Sequence, residues 1–179
     1  GGNIRVISGE YKGNVLKVPQ KDVRPTTDFV KCAVFNMLND FEDKKILDLF
    51  GGSGALTIES ISRGAVYGVV IEKNKTNSLI IKENINKIKI ENIKIIVADA
   101  FTYLKSSTEQ FDIIFIDPPY ELNVYKDILE IIHQKNILNS GGYIVCEMDS
   151  KNTLNNIENF EIHTDRKYGN TRIIIFTKE

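Results

Sequence analysis

The strongest constraint on this chain is a rhythm that begins at residue 45. Five short apolar runs, at 45–50, 66–72, 93–98, 111–117 and 142–147, predict strands, and the one at 113–116 lacks strict alternation and so reads as covered on both faces. Between them lie segments with helical spacing, predicting helices at 55–63, 75–88, 100–105 and 124–134. Strand and helix in alternation imply right-handed crossovers, and these build an α/β fold: a mostly parallel, twisted sheet with helices on both faces. In such sheets ligands bind outside the carboxyl ends of the strands.

Both ends of the chain break the rhythm. IRVISGEYKGNVLKVP alternates around a centre of turn formers, Gly9 to Asn14, and predicts an N-terminal β-hairpin arm, residues 1–24, ahead of a single domain at 25–179. RPTTDFVKCAVFNMLND follows. Thr27 or Asp28 is a plausible N-cap, and Val30, Val34, Met37 and Leu38 recur at helical spacing, so a helix should end near Asn39. At the far end, NFEIHTDRKYGNTRIIIFTKE has two apolar runs around a turn at 167–170. It predicts a C-terminal antiparallel hairpin added to one sheet edge.

A chain of 179 residues can bury a core without staples. Cys32 and Cys146 have none of the spacing of a metal site or a disulfide framework, and read as small core residues in a reducing cytoplasm. His133 and His163 lack partners that would suggest a metal, and none is expected. No apolar run is long enough to span a membrane and no export signal stands out, so a cytoplasmic protein is expected. A net charge of −1 gives no bulk argument for a polyanionic partner. Its distribution is more informative. Through Lys31 there are six basic residues (Arg5, Lys12, Lys17, Lys21, Arg24, Lys31) against three acidic ones (Glu10, Asp22, Asp28). The arm could contact phosphates, or it could be a solvated hairpin with scattered lysines.

Four successive strand ends offer carboxylates. ILDLFGGSGALTIE runs from a strand through a Gly-rich turn into a helix, and Gly52 and Gly54 allow a ligand close to the backbone. Thr57 stands where a dinucleotide fingerprint needs Gly, and no G-K-[ST] follows. Asp48, just before the turn, suits a cationic ligand better than a phosphate. Glu72 ends the second strand eighteen residues after Gly54, close to the offset at which an acid accepts from ribose hydroxyls. Asp99 ends the third strand and Asp117 the fourth. Singly, each also reads as a helix cap or turn residue. Together they fit a ligand with a ribose, an exocyclic amine and a cationic amino-acid tail, as in S-adenosylmethionine.

FDIIFIDPPY gives the fourth strand an unusual exit. Pro119 removes a backbone donor, fixes φ and restricts Pro118, so Asp117 and Tyr120 leave the sheet on a stiff extended segment.

Across nearly its whole length the chain resembles the bacterial 16S ribosomal RNA guanine-(2-amino)-methyltransferases, class I Rossmann-like methyltransferases of small-subunit assembly. IRVISGEYKG, RPTTDFVKCAVFNML, LDLFGGSGALTIESISRGA, VIEKN, FIDPPY and YGNTRIIIF carry the resemblance. Gly51 stands where Ala is expected, a change that should loosen the turn. The resemblance implies that Asp48, Phe50, Gly52, Ser53 and Gly54 wrap the methionine and ribose parts of S-adenosylmethionine, that Glu72 takes the ribose hydroxyls, and that Asp99 and Ala100 lie at the adenine. Thr26 and Thr27 would close over the methionine end. Asp117, Pro118, Pro119 and Tyr120 would hold and activate the target guanine, in 16S rRNA within a small-subunit assembly intermediate. Lys12, Lys17 and Arg24 are the candidate phosphate contacts. Competing readings are a DNA amino-group methyltransferase, which usually carries an added recognition region, and a noncatalytic RNA-binding assembly factor. A release-factor glutamine methyltransferase would have Asn in place of Asp117.

Overall fold

The structure, a computed structural model, describes residues 3–19, 28–119, 123–154 and 157–178. The chain opens with β1 (Asn3–Arg5) and β2 (Val15–Lys17), paired antiparallel as a separate small sheet. Helix α1 (Asp28–Leu38) leads into the predicted alternation: β3 (Lys45–Asp48), α2 (Ala55–Ser62), β4 (Tyr67–Glu72), α3 (Lys75–Ile88), β5 (Ile93–Val97), α4 (Ala100–Ser106), β6 (Phe111–Ile116), α5 (Tyr125–Gln134) and β7 (Leu138–Asp149). Strands β8 (Phe160–Tyr168) and β9 (Thr171–Lys178) close the chain.

The main sheet has seven strands in the order β5-β4-β3-β6-β7-β9-β8. Strands β3 to β7 pair in parallel, and β9 runs antiparallel to both β7 and β8. Each face has its own apolar cluster. One gathers α1, α2, α3 and the arm through Ile4, Val34, Phe35, Ile58 and Ile81; the other gathers α4 and α5 through Leu104, Tyr125 and Ile128. Helices thus cover both faces, as the crossovers require. The tail hairpin attaches as expected, and its second strand is the inner one. RIIIF can be buried on both faces between two strands, whereas EIHTDRK suits an edge open to water.

Most element boundaries fall within two residues of expectation, and two of the differences have a visible cause. Strand β3 stops at Asp48 because the turn begins there, with Phe50 N–H folded back onto Asp48 Oδ1 (3.3 Å). Strand β7 begins four residues earlier than predicted, at Leu138 rather than 142. Leu138 pairs with Phe111, but the next pair is Tyr143 with Ile113, so Asn139–Gly142 forms a bulge that reads in sequence as a turn. Asn139 steadies it by donating to Asp112 Oδ1 (3.0 Å).

The arm is stitched to the domain through buried polar groups. Glu59, fully buried on α2, accepts from Ile7 N–H (2.8 Å) and Ser8 N–H (3.1 Å). Ser62 accepts from Tyr11 N–H (2.9 Å) and donates to the Ser8 carbonyl (2.6 Å). On the other side, Asn84 of α3 grips Lys17 at both its N–H (2.8 Å) and its carbonyl (3.0 Å). These bonds satisfy backbone groups that a two-stranded hairpin leaves open.

Candidate functional site

The carboxyl edge of the parallel strands brings the four acidic residues to one side of the sheet. Asp48 ends β3 and is level with Val70 on β4 and Phe115 on β6. Asp117 therefore lies one strand across and two residues further on, roughly 8 Å away along the backbone frame. The Gly-rich turn that follows Asp48 is tied to both neighbours: Leu49 N–H donates to the Phe115 carbonyl (3.1 Å) and Gly51 N–H to the Ile71 carbonyl (2.9 Å). Gly52 (φ 58°) and Gly54 (φ 79°) take the left-handed conformations that let the chain reverse there and enter α2.

Glu72 holds this turn. Its Oε1 accepts from Gly52 N–H (2.9 Å) and its Oε2 from Asn74 N–H (2.8 Å). A carboxylate oxygen accepts more than one bond, so both retain capacity for hydroxyl donors. Asp99 is the N-cap of α4: Oδ2 accepts from Phe101 N–H (3.0 Å) and Thr102 N–H (3.2 Å), and Oδ1 takes neither bond. Ala100, buried, opens that helix. Ser53 is buried; its Oγ accepts from Ala55 N–H (3.3 Å) and its carbonyl accepts from Asn84 Nδ2 (3.0 Å).

Asp48 is electrostatically unusual. Burial pushes its carboxyl up to about 7, and the nearby Glu72 charge adds to the rise, against the lowering effect of the Phe50 N–H. The buried Thr57 hydroxyl finds no partner of ordinary bonding geometry among the described residues, yet it too acts to lower Asp48. A buried carboxyl raised by desolvation is ready to ionise when a cation is placed against it.

Gly51 does not loosen the turn. A Cβ there would overlap Val70 Cγ1 and lie 3.0 Å from Ile81 Cδ1, so these side chains already fill the space that an alanine would occupy.

Phe50 and Asp117 are half-buried, Pro118 is buried and Pro119 exposed at the exit of β6. Tyr120, Thr26, Thr27 and Arg24 lie outside the described residues. The arm's two described lysines occupy different places. Lys12 sits in the arm turn, beside the end of α2 and therefore toward the amino end of the sheet. Lys17 lies level with the Gly-rich turn, with its ammonium 2.5 Å from Glu83.

Three supporting residues were not singled out in the sequence: Lys31, Glu59 and Asn84. A signal existed for each. Asn84 falls between Ile81 and Ile85 on the apolar stripe of α3, Glu59 follows Ile58 on α2, and Lys31 follows Val30 on α1. A polar residue at an apolar-stripe position implies a buried partner.

The profile of the family described as conserved hypothetical protein 95 matches residues 4–177. The chain belongs to this family. A relative in Buchnera aphidicola, named ribosomal RNA small subunit methyltransferase D, is 35% identical over 158 residues, which is 87% of this chain and 80% of the relative. The Escherichia coli K12 protein of that name is 29% identical over 181 residues, 99% of this chain and 91% of its own. Among solved structures, Escherichia coli yhhF superposes with a TM-score of 0.91 at 29% identity, over 99% of each chain. A conserved hypothetical protein of Streptococcus pyogenes superposes with a TM-score of 0.80 at 34% identity, over 84% of this chain and 96% of its own.

The fold of this family member is the Rossmann-like fold of class I methyltransferases. Its carboxyl edge fits S-adenosylmethionine on three counts. Asp48 is buried with no positive partner among the described residues, Glu72 keeps acceptor capacity beside Gly52, and the turn is backbone-lined at two left-handed glycines. No cluster able to hold a metal ion occurs among the described residues, and none of their helices is long and apolar enough to cross a membrane.

Proposed function

We propose that this protein transfers a methyl group from S-adenosylmethionine to the exocyclic 2-amino group of a guanine in small-subunit ribosomal RNA. Adjacency of β3 and β6 carries the reading: the Gly-rich turn and the Asp117-Pro118-Pro119 exit leave neighbouring strands at one edge, so a cofactor on the first faces an acceptor on the second. The relatives named as ribosomal RNA small subunit methyltransferases supply the substrate class.

S-adenosylmethionine supplies an electrophilic methyl on a sulfonium. The chain's part is to bind, orient and polarise. Asp48 would hold the amino-acid end, Phe50, Gly52, Ser53 and Gly54 the methionine and ribose, Glu72 the ribose hydroxyls, and Asp99 with Ala100 the adenine. Thr26 and Thr27 are assigned to the methionine end. A guanine amino nitrogen is a weak nucleophile because its lone pair is delocalised into the ring. With one N–H donated to the Asp117 carboxylate and one to the Pro118 carbonyl, that nitrogen is biased toward a tetrahedral shape with its lone pair free. Both bonds strengthen as the sulfur–methyl bond breaks and positive charge develops on nitrogen, so they favour the transition state over the ground state; the neutral thioether would be the leaving group and the surplus N–H proton would pass to Asp117 or to water. Pro118 and Pro119 hold the acceptors in place, and Tyr120 stacks on the base. Lys12, Lys17 and Arg24 are assigned to RNA phosphates. A guanine paired in a helix hides this nitrogen, so the target is unstacked or single-stranded when bound.

The test is incubation with methyl-labelled S-adenosylmethionine against unmodified small subunits, naked 16S RNA and DNA, followed by mass spectrometry of the nucleosides. Label in 2-methylguanosine at one position supports the reading, and the preferred particle identifies the assembly state of the substrate. Label in methylated adenine or cytosine of DNA overturns it.

A further inference from the structure

The carboxyl edge also carries an aromatic pair that neither the cofactor turn nor the Asp-Pro-Pro exit uses. Phe29, in the first turn of α1, is 70% exposed, while the helix buries Val30, Lys31, Val34, Phe35 and Leu38 instead. Its ring stands edge-on to Tyr168, with centroids 5.8 Å apart and planes at 71°. A large apolar ring at a helix start, steadied by a second ring and otherwise in water, contributes little to the core.

Strand register places the pair at the reacting edge. Tyr168 is level with Thr171 on β9, which is level with Asp149 at the end of β7. On the other side of β7, Cys146 is level with Ile116, the residue before Asp117. Three inter-strand spacings of about 4.8 Å and two residues of rise put the Tyr168 backbone roughly 16 Å from that of Asp117. A few nucleotides of single strand cover such a span.

The surroundings are positive and rigid. Lys151, Arg166 and Lys167 are exposed: Arg166 shares the Tyr168 face of β8, Lys167 adjoins Tyr168 on the opposite face, and Lys151 follows β7. Arg172 binds Asp165 through both Nε (2.8 Å) and Nη2 (2.6 Å), and Lys167 also acts on that carboxylate, which leaves Lys151 and Arg166 the less compensated cations. Arg172 Nη1 also donates to the Asn152 carbonyl (2.6 Å), and Ser150 N–H donates to the Asn170 carbonyl (2.9 Å). The turn bearing Tyr168 is thereby fixed to the loop bearing Lys151. Among the described residues, Asp28 beside Phe29 and the half-buried Asp149, level with Tyr168 across β9, are opposing carboxylates.

We infer that Phe29 and Tyr168 form a stacking platform for a nucleobase flanking the target guanine, with Lys151, Arg166 and Lys167 on the adjoining phosphates. Exposed rings among cations are what single-stranded nucleic acid binds: stacking tolerates any base, and the cations follow the backbone. The inference rests on the RNA reading proposed above and adds to it where the strand continues beyond the reacting base.

The chain contains no Trp, so a Phe29→Trp variant carries a single fluorophore at the platform. That variant is titrated with a fluorescein-labelled single-stranded RNA oligonucleotide, following RNA anisotropy and tryptophan emission together, and then with unmodified small subunits. The expected result is emission quenched with the same midpoint as the anisotropy change. Phe29→Ala and Tyr168→Ala should each weaken RNA binding about tenfold, with S-adenosylmethionine affinity unchanged and Tyr168→Phe close to wild type. RNA binding with unaltered emission and unaltered alanine variants overturns the platform while leaving the RNA reading intact. No anisotropy change with oligonucleotide or subunits overturns both. Quenching by subunits alone, insensitive to nuclease treatment of their RNA, assigns the surface to a protein partner and also overturns it.

Discussion

Lys31 Nζ lies 3.0 Å from Glu59 Oε1, with both side chains buried, so the helix that follows the arm and the helix that follows the Gly-rich turn share an internal ion pair. Lys31 also donates to the Arg5 carbonyl (3.0 Å), and Arg63 Nε donates to Glu59 Oε2 (2.8 Å). Removing one charge leaves the other buried and under-compensated, which costs about 3 kcal/mol or more. Lys31→Met should lower stability by that amount in urea unfolding, and adding Glu59→Gln should recover part of it. Strictly additive losses would mean the two do not act as a pair.

Glu59 also sets an acid limit. Burial pushes its carboxyl up, but the Ile7 N–H, Arg63 and Lys31 outweigh burial and hold it below the usual carboxylate range. A lowered folded value contributes stability that is present above the unfolded value near 4.5 and is lost as pH falls through the folded one. Thermal unfolding scans below about pH 4.5 should show this loss, and Glu59→Gln should flatten it.

Asp48 has the opposite sign. Its folded value of about 7 lies above the ordinary 3.8, so its contribution is fully present below 3.8 and is lost as pH rises toward 7. The full loss is on the order of 4 kcal/mol. Asp48→Asn should therefore raise the melting temperature at pH 8 and weaken S-adenosylmethionine binding. In the wild type, binding should weaken as pH falls below 7, and near pH 7 it should release a proton, read by calorimetry in buffers of different ionisation enthalpy. An unchanged pH dependence in Asp48→Asn would exclude this carboxyl from cofactor binding.

Asp117→Ala should retain S-adenosylmethionine affinity and lose methyl transfer, since its proposed bond is to the acceptor nitrogen. Two to three orders of magnitude in kcat is roughly the range for removing a group that acts on transition-state charge. Normal turnover by this variant would remove Asp117 from the mechanism.

Gly51→Ala should destabilise the turn by about 1–3 kcal/mol through overpacking against Val70 and Ile81. Val70→Ala in the same chain should relieve most of it. If Gly51→Ala alone is neutral or stabilising, the turn has more room than the packing indicates.

Asp99 shows how a candidate can stand at the expected strand end and still be ambiguous. Its position at a strand end was legible from the apolar run before it, and so was a helix cap; the adenine contact was implied only by the family resemblance. The cap is the bond the structure displays, through one carboxylate oxygen. Glu72 was legible as a strand-end acid by its offset from Gly54, whereas its grip on Gly52 N–H was not. The arm was legible as a hairpin by alternation. Its attachment was not, and neither was the separation of Lys12 from Lys17 along the height of the sheet.

Local periodicity by itself determined the strand and helix succession, the parallel sheet it implies, and hence which carboxylates stand at the ligand-binding edge. Spacing alone suffices there because side-chain direction repeats every two residues in a strand and every 3.6 in a helix. Only the tertiary structure decided which polar residues are buried partners. Asn84 meets Lys17 across 67 positions and Glu59 meets Ile7 across 52, contacts that exist only once the chain has folded back on itself. Such contacts leave a buried polar group in the sequence but no trace of its partner, because the desolvation that demands a partner arises only inside the folded core.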